Sequence, residues 1–118
     1  MNFGSNEKII QQILNGILEK KGFDIVIMDL RGLLGSIANY FIICSGNSDT
    51  QTKAIADSIE ETVKKNLGEK VWHSEGKAKG EWILLDYIDV IVHIFLPNSR
   101  EFYKLEDLWG DAKMIKMN

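Results

Sequence analysis

Residues 80–95, GEWILLDYIDVIVHIF, leave this chain few ways to fold. Two apolar runs rich in β-branched and aromatic residues flank an acidic, aromatic corner, DYID, which is the pattern of adjacent strands. Successive strand residues face opposite sides. Val90, Val92, Ile94 and Leu96 therefore form one uniformly apolar row, suited to lie under helices. The opposite row, Asp89, Ile91, His93 and Phe95, is mixed in polarity, and in 81–86 Trp82, Leu84 and Asp86 oppose Ile83 and Leu85. With the mixed rows on one face, Trp82, Leu84, Ile91, His93 and Phe95 make an aromatic and aliphatic plateau carrying one titratable group. Such a plateau either faces outward as a contact site or is covered by another segment, the 31–39 loop or the closing helix. Alternation alone leaves both open.

The rest of the chain supplies what such a sheet needs. Ile9, Ile10, Ile13, Leu14, Ile17 and Leu18 recur at helical spacing, with Gly22 as the expected stop. FDIVIMDL (23–30) and YFIICSG (40–46) read as strands joined by a glycine-bearing connection, RGLLGSIAN. Ser48 or Asp49 caps a helix whose stripe is Ile55, Ile59, Val63 and Leu67 and which Gly68 ends. A short strand near 70–74 and a Gly/Lys turn precede the opening stretch. Pro97 stops the last strand, and Asn98-Ser99 caps a closing helix running through Leu108, with Gly110 past its end. The order α-β-β-α-β-β-β-α predicts an α+β fold, a mixed sheet of about five strands with helices mainly on one face. It fits one domain over 1–118, with 1–5 and 113–118 as frayed ends.

Composition narrows the function. At 118 residues and 45% hydrophobic the chain suits a single core, and no apolar run approaches the ~20 residues of a membrane span. The start, MNFGSNEKII, lacks the basic and apolar regions of a secretory signal. Cys44 is the only cysteine, so no intrachain disulfide forms and a reducing, intracellular setting is expected. The formal charge of −3 gives no general field for phosphate backbones and matches a basic protein partner better.

The constellations for chemistry are thin. His73 and His93, with Asp86 and Asp89, form no recognisable metal spacing. Asp86 and Asp89 flank a turn, where aspartates commonly bind the backbone; the sharper alternative is a nucleotide-binding enzyme using both with a divalent metal. Cys44 sits in an apolar run, where burial makes a thiol inert. CSGNSDT has one glycine, no P-loop lysine, and Asp49 where an anion would sit. In the closing segment Phe102, Leu105 and Leu108 or Trp109 form an apolar stripe, with Phe102 and Leu105 assigned to the core. Arg100, Tyr103 and Trp109 are residue types enriched in interface hot spots.

The stretches DIVIMDL, YFIICSGNSDTQTKAIADSIEE and GEWILLDYIDVIVHIFLPNSREFYKLEDLWGDA resemble the Iojap family of bacterial ribosomal silencing factors, over about residues 6 to 112. The resemblance implies a fold related to nucleotidyltransferases without their chemistry, and this sequence has no GS motif followed by a DxD pair. It also implies binding to protein fourteen of the large ribosomal subunit, where the factor obstructs the small subunit and lowers translation when nutrients are scarce. No cofactor and no membrane are implied. The family's interaction surface maps onto Trp82 and further onto His93, Arg100, Tyr103 and Trp109. The chain departs from the family at Asn39, where Asp is usual, and at 48–52, which lack an arginine common there. An exposed plateau predicts a weak homodimer in the free protein.

Overall fold

The computed structural model describes residues 2–117. A 3-10 turn (Gly4–Asn6) leads into α1 (Glu7–Glu19), β1 (Phe23–Asp29), β2 (Tyr40–Ser45), α2 (Asp49–Leu67), β3 (His73–Glu75), β4 (Trp82–Asp86) and β5 (Val90–Phe95). The chain then forms α3 (Pro97–Tyr103), α4 (Leu105–Leu108) and β6 (Lys113–Lys116). Six strands make one sheet in the order β3-β4-β5-β2-β1-β6. Only β2 and β5 run parallel; the other neighbours are antiparallel.

The sixth strand corrects the expected frayed end. Lys113–Lys116 pairs with β1, Ile27 opposite Ile115, because its two apolar residues give the β1 edge a partner and Ile115 packs on the helix-side core. At the other end Phe3 is buried edge-on against Tyr40, with ring centroids 5.4 Å apart. Of the two segments expected to fray, residues 1 and 118 lie outside the described residues.

Each face of the sheet carries its own core. On one, α1 and α2 cover Ile25, Ile27, Tyr40, Ile42, Cys44, Ile83, Leu85, Val90, Val92 and Ile94. This is the row the alternation assigns to helices, and Ile10, Ile13, Ile17, Ile55, Ile59 and Val63 pack down onto it. Ser48 Oγ accepts the Gln51 N–H at 3.1 Å to start α2, and Gly68, at φ 70, ends it. The end of α1 differs from expectation. Lys21, at φ 60, is its left-handed residue, with Lys21 N–H bonded to Leu18 O and Gly22 N–H to Ile17 O. Gly22 is needed for space instead, since a Cβ there would lie 2.5 Å from Ile17 Cγ2.

The opposite face holds Val26, Met28, Phe41, Ile43, Ile91 and Phe95. No long helix lies on it. Leu30, Leu33 and Ala38 of the 30–38 segment, Leu105, and half-buried Trp109 form its partial cover. The closing helix is two short ones: Pro97 occupies the first helical turn, where its missing N–H costs nothing, and Lys104 at φ 47 breaks the chain between α3 and α4. The stripe Phe102–Leu105–Leu108 is thereby lost. Leu105 is buried as expected, but Phe102 stays 78% exposed.

Candidate functional site

The strand pairs place Trp82 opposite Phe95 and Leu84 opposite His93, so the mixed rows do share one face. They do not form an open plateau. Phe95, Ile91 and His93 are buried, and only Trp82 and Leu84 remain half-buried at the rim. His93 is 3% exposed and cannot itself meet a partner; the closing segment and the 30–38 segment cover this face more fully than alternation alone predicts. Its ring lies 4.6 Å from that of Phe41, and burial pulls its pKa down to about 3. It is neutral at physiological pH.

What remains accessible is a cleft of about 600 Å³ between the 76–82 turn and α3, lined by Trp82, Phe102, Tyr103, Lys79, Asn98 and Ser99 among others. Trp82 is its central wall. The indole stacks on Phe95 (4.9 Å between centroids, 29° between planes) and tilts against Tyr103 at 4.7 Å. Its Nε1–H donates to His93 Nδ1 at 3.1 Å. Phe102 stands edge-on to Tyr103 at 5.0 Å. Aromatic surface of this kind, half buried and half wet, is typical of contact anchors.

The turn behind Trp82 has no room for a side chain at Gly76. Gly76 sits at φ 83, and a Cβ on it would lie 1.9 Å from the Trp82 carbonyl oxygen. Thr52 Oγ1, on the first turn of α2, donates to the Gly80 carbonyl at 2.6 Å and ties the turn's far end down. Fold and cleft are coupled at that point.

Arg100 belongs to the frame of the site rather than its surface. Its Nη1 donates to Asp24 O (2.7 Å) and Ser45 Oγ (2.9 Å), and its Nε pairs with Glu106 Oε1 at 2.9 Å. The Asp24 carbonyl is available because β1 shifts register between Phe23 and Val26, with Asp24 at φ 51. One guanidinium thus holds α3, α4 and the ends of β1 and β2 together. Trp109 caps the far side, edge-on to Phe41 at 6.1 Å. Tyr103, Trp82, His93, Phe41 and Trp109 form one continuous line of ring contacts. The structure therefore brings Trp82, His93, Tyr103 and Trp109 together, with Arg100 as the clamp.

Phe102 is the cleft residue the periodicity missed. Only the left-handed Lys104 frees it, and a lysine carries no signal for that conformation. Other large apolar residues are exposed elsewhere: Trp72 and Ile88 near the β4–β5 turn, Leu34 and Leu108 beside Trp109, and Ile37 in the 30–38 segment.

The chemical alternatives find little support in the geometry. Asp86 Oδ1 accepts the Ile88 N–H at 2.7 Å, so its carboxylate shapes the turn, while Asp89 accepts the Asn39 and Tyr40 N–H groups only through its backbone carbonyl. Among the described residues no three His, Cys, Asp or Glu side chains are grouped to hold a metal ion. Cys44 is fully buried, and burial pushes its thiol up to about 12. No helix among the described residues is long and apolar enough to cross a membrane.

Comparison with known proteins agrees with the fold. A family model described as "Ribosomal silencing factor during starvation" matches residues 4–118. A Bacillus subtilis protein named a ribosomal silencing factor is 40% identical over 114 residues, covering 96% of this chain and 95% of its own. One of the same name from Halalkalibacterium halodurans is 36% identical over 113 residues, covering 96% and 95%. A crystal structure of a Chromobacterium violaceum protein superposes with a TM-score of 0.83 at 34% identity, over 91% of this chain and 88% of the other.

Proposed function

The chain belongs to the ribosomal silencing factor family, and from that premise we propose that it binds the large ribosomal subunit through that subunit's protein fourteen. Bound there, it sterically prevents the small subunit from joining and so lowers translation when nutrients are scarce. Relatives are named for a regulatory role rather than a catalytic one. The mechanism is occupancy, with no bond made or broken, and the protein works in the cytoplasm, where ribosomes are.

The observation that carries this reading is the cleft of Trp82, Phe102 and Tyr103, three aromatic side chains gathered at one accessible rim of the sheet. Such rings bury large areas with little conformational entropy to lose. The negative charge of the chain favours encounter with a basic ribosomal protein. In the free protein the same rim pairs weakly with a second copy, so binding the ribosome competes with self-association.

Sedimentation of mixed subunits with the purified protein tests the main claim. Saturating protein is expected to keep the subunits apart at a magnesium concentration where they otherwise join; undiminished joining would refute it. Light scattering tests the self-association: mean mass is expected to rise with concentration, and a strict monomer throughout would refute that part. Calorimetry with nucleoside triphosphates and magnesium addresses Asp86 and Asp89; heat of binding there would revive the enzymatic reading.

A further inference from the structure

His93 is an expensive choice for its position. It sits in the middle of β5, almost wholly buried, between the rings of Phe41 at 4.6 Å and Phe95 at 6.3 Å. Its Nε2 is buried without a hydrogen-bond partner among the described residues. A leucine would fill the same space without stranding a polar atom. Among the described residues the ring's one polar contact is at Nδ1, which accepts from Trp82 Nε1–H at 3.1 Å. That acceptor role fixes the tautomer, with the proton on Nε2.

The other end of the bond explains the cost. An indole has one polar atom, and at a half-buried rim it would ordinarily point to water. Here it points inward. Stacking on Phe95 and the tilted contact with Tyr103 set the plane of the ring but not which edge faces out. A half-turn would keep much of the stacking and put Nε1–H into the cleft. The bond to His93 removes that choice.

We propose that His93 is a positioning residue: by accepting the Trp82 N–H it turns the indole's polar edge into the sheet, so that within the cleft the indole itself offers the partner only carbon. The occupant selected is then a flat or aliphatic carbon surface of the partner protein, not an acceptor atom seeking the indole N–H. This rests on the reading of Trp82 as a contact residue. Burial favours the neutral ring, which keeps the acceptor in place.

The test begins on the free protein. Nitrogen shifts of the His93 imidazole are expected to show a protonated Nε2 and a bare Nδ1; the opposite tautomer overturns the proposal. His93→Leu is expected to melt within a few degrees of wild type while the Trp82 indole N–H resonance moves and exchanges faster with water. Its affinity for purified large subunits falls roughly tenfold, about 1.4 kcal/mol. His93→Asn, whose amide oxygen can stand near the Nδ1 position, recovers to within about threefold of wild type. In the Trp82→Phe background, which has no N–H to orient, His93→Leu changes affinity less than about twofold. An unmoved indole resonance in folded His93→Leu, or an equal loss in the Trp82→Phe background, overturns the proposal. Should His93→Leu melt too early to assay, the tautomer and His93→Asn decide. Trp82→Ala binding as tightly as wild type removes the contact reading instead, a result separable from the tautomer and indole signals because those need no ribosome.

Discussion

The two faces of this sheet solve the same problem, burying a row of side chains, by different means. The face under α1 and α2 is mainly aliphatic, with Phe3, Tyr40 and Tyr87 among its isoleucines, leucines and valines, and is sealed by two helices. The face under α3, α4 and the 30–38 segment is aromatic, contains a histidine, and is closed by short pieces tied with a few directed bonds. Sealing supplies stability. Partial closure supplies a surface, and its rings are held in place by polar contacts that a sealed core does not need.

The largest expected effect would break that division if it failed. Ile13→Ala, on the sealed face with no exposure, should cost about 2–5 kcal/mol of stability, lowering the melting midpoint by ten degrees or more on the order expected for this size. The protein that remains folded should bind large subunits normally. Loss of binding out of proportion to unfolding would mean that the faces are not separable.

Trp82→Ala reverses the pattern. We expect about 30-fold weaker binding to the large subunit, with a stability loss of roughly 1–3 kcal/mol. An outward-facing tryptophan would have cost less. The half-buried ring stacks on Phe95 and bonds to His93, so its removal leaves Nδ1 unpaired. A collapsed fold would place this residue with the sealed core.

Arg100→Lys should cost about 1–2 kcal/mol, because an ammonium cannot serve Asp24 O, Ser45 Oγ and Glu106 at once. Binding should weaken several-fold with it, as α3 carries Phe102 and Tyr103. Equal binding would show that the clamp serves the fold alone.

His93 gives the two faces different pH behaviour. Its folded pKa, about 3, lies below its ordinary 6.5. The unfolded chain therefore takes up a proton first as pH falls, and stability drops between pH 6.5 and 3 with a slope of up to about 1.4 kcal/mol per pH unit. Denaturant melts from pH 7 to 4 should show this slope in wild type and lose it in His93→Leu. The smallest effect sharpens the contrast: Phe102→Ala should change stability by less than about 0.5 kcal/mol while still weakening ribosome binding measurably.

How much of this was legible depends on the physics behind each feature. Period-2 alternation assigned Val90, Val92 and Ile94 to the helices, and put Trp82, Leu84 and His93 together, because the face of a strand residue is a local property. The Ser48 cap and the Gly68 stop were legible for the same reason. The depth of burial of His93 was not, since it depends on segments distant in sequence closing over it. Nor was the break at Lys104, where tertiary contacts through Arg100 and Leu105 hold a lysine in a conformation its type does not announce. A four-residue strand such as β6, lysine at both ends, is recognisable only beside the edge it completes.

That edge has a consequence in time. During synthesis the chain emerges in order, and everything through Phe95 is made before α3, α4 and β6 exist. Every buried residue of the sealed face lies in that part, and Ile115 of β6 adds to its edge later. Until Pro97–Lys116 follows, the rings of Phe41, His93 and Phe95 lie uncovered, β1 has an open edge, and the cleft lacks the wall that Phe102 and Tyr103 supply. The proposed contact surface is thus completed only by the segment that follows Phe95, and on that reading a chain made only that far has no finished site with which to silence its own ribosome.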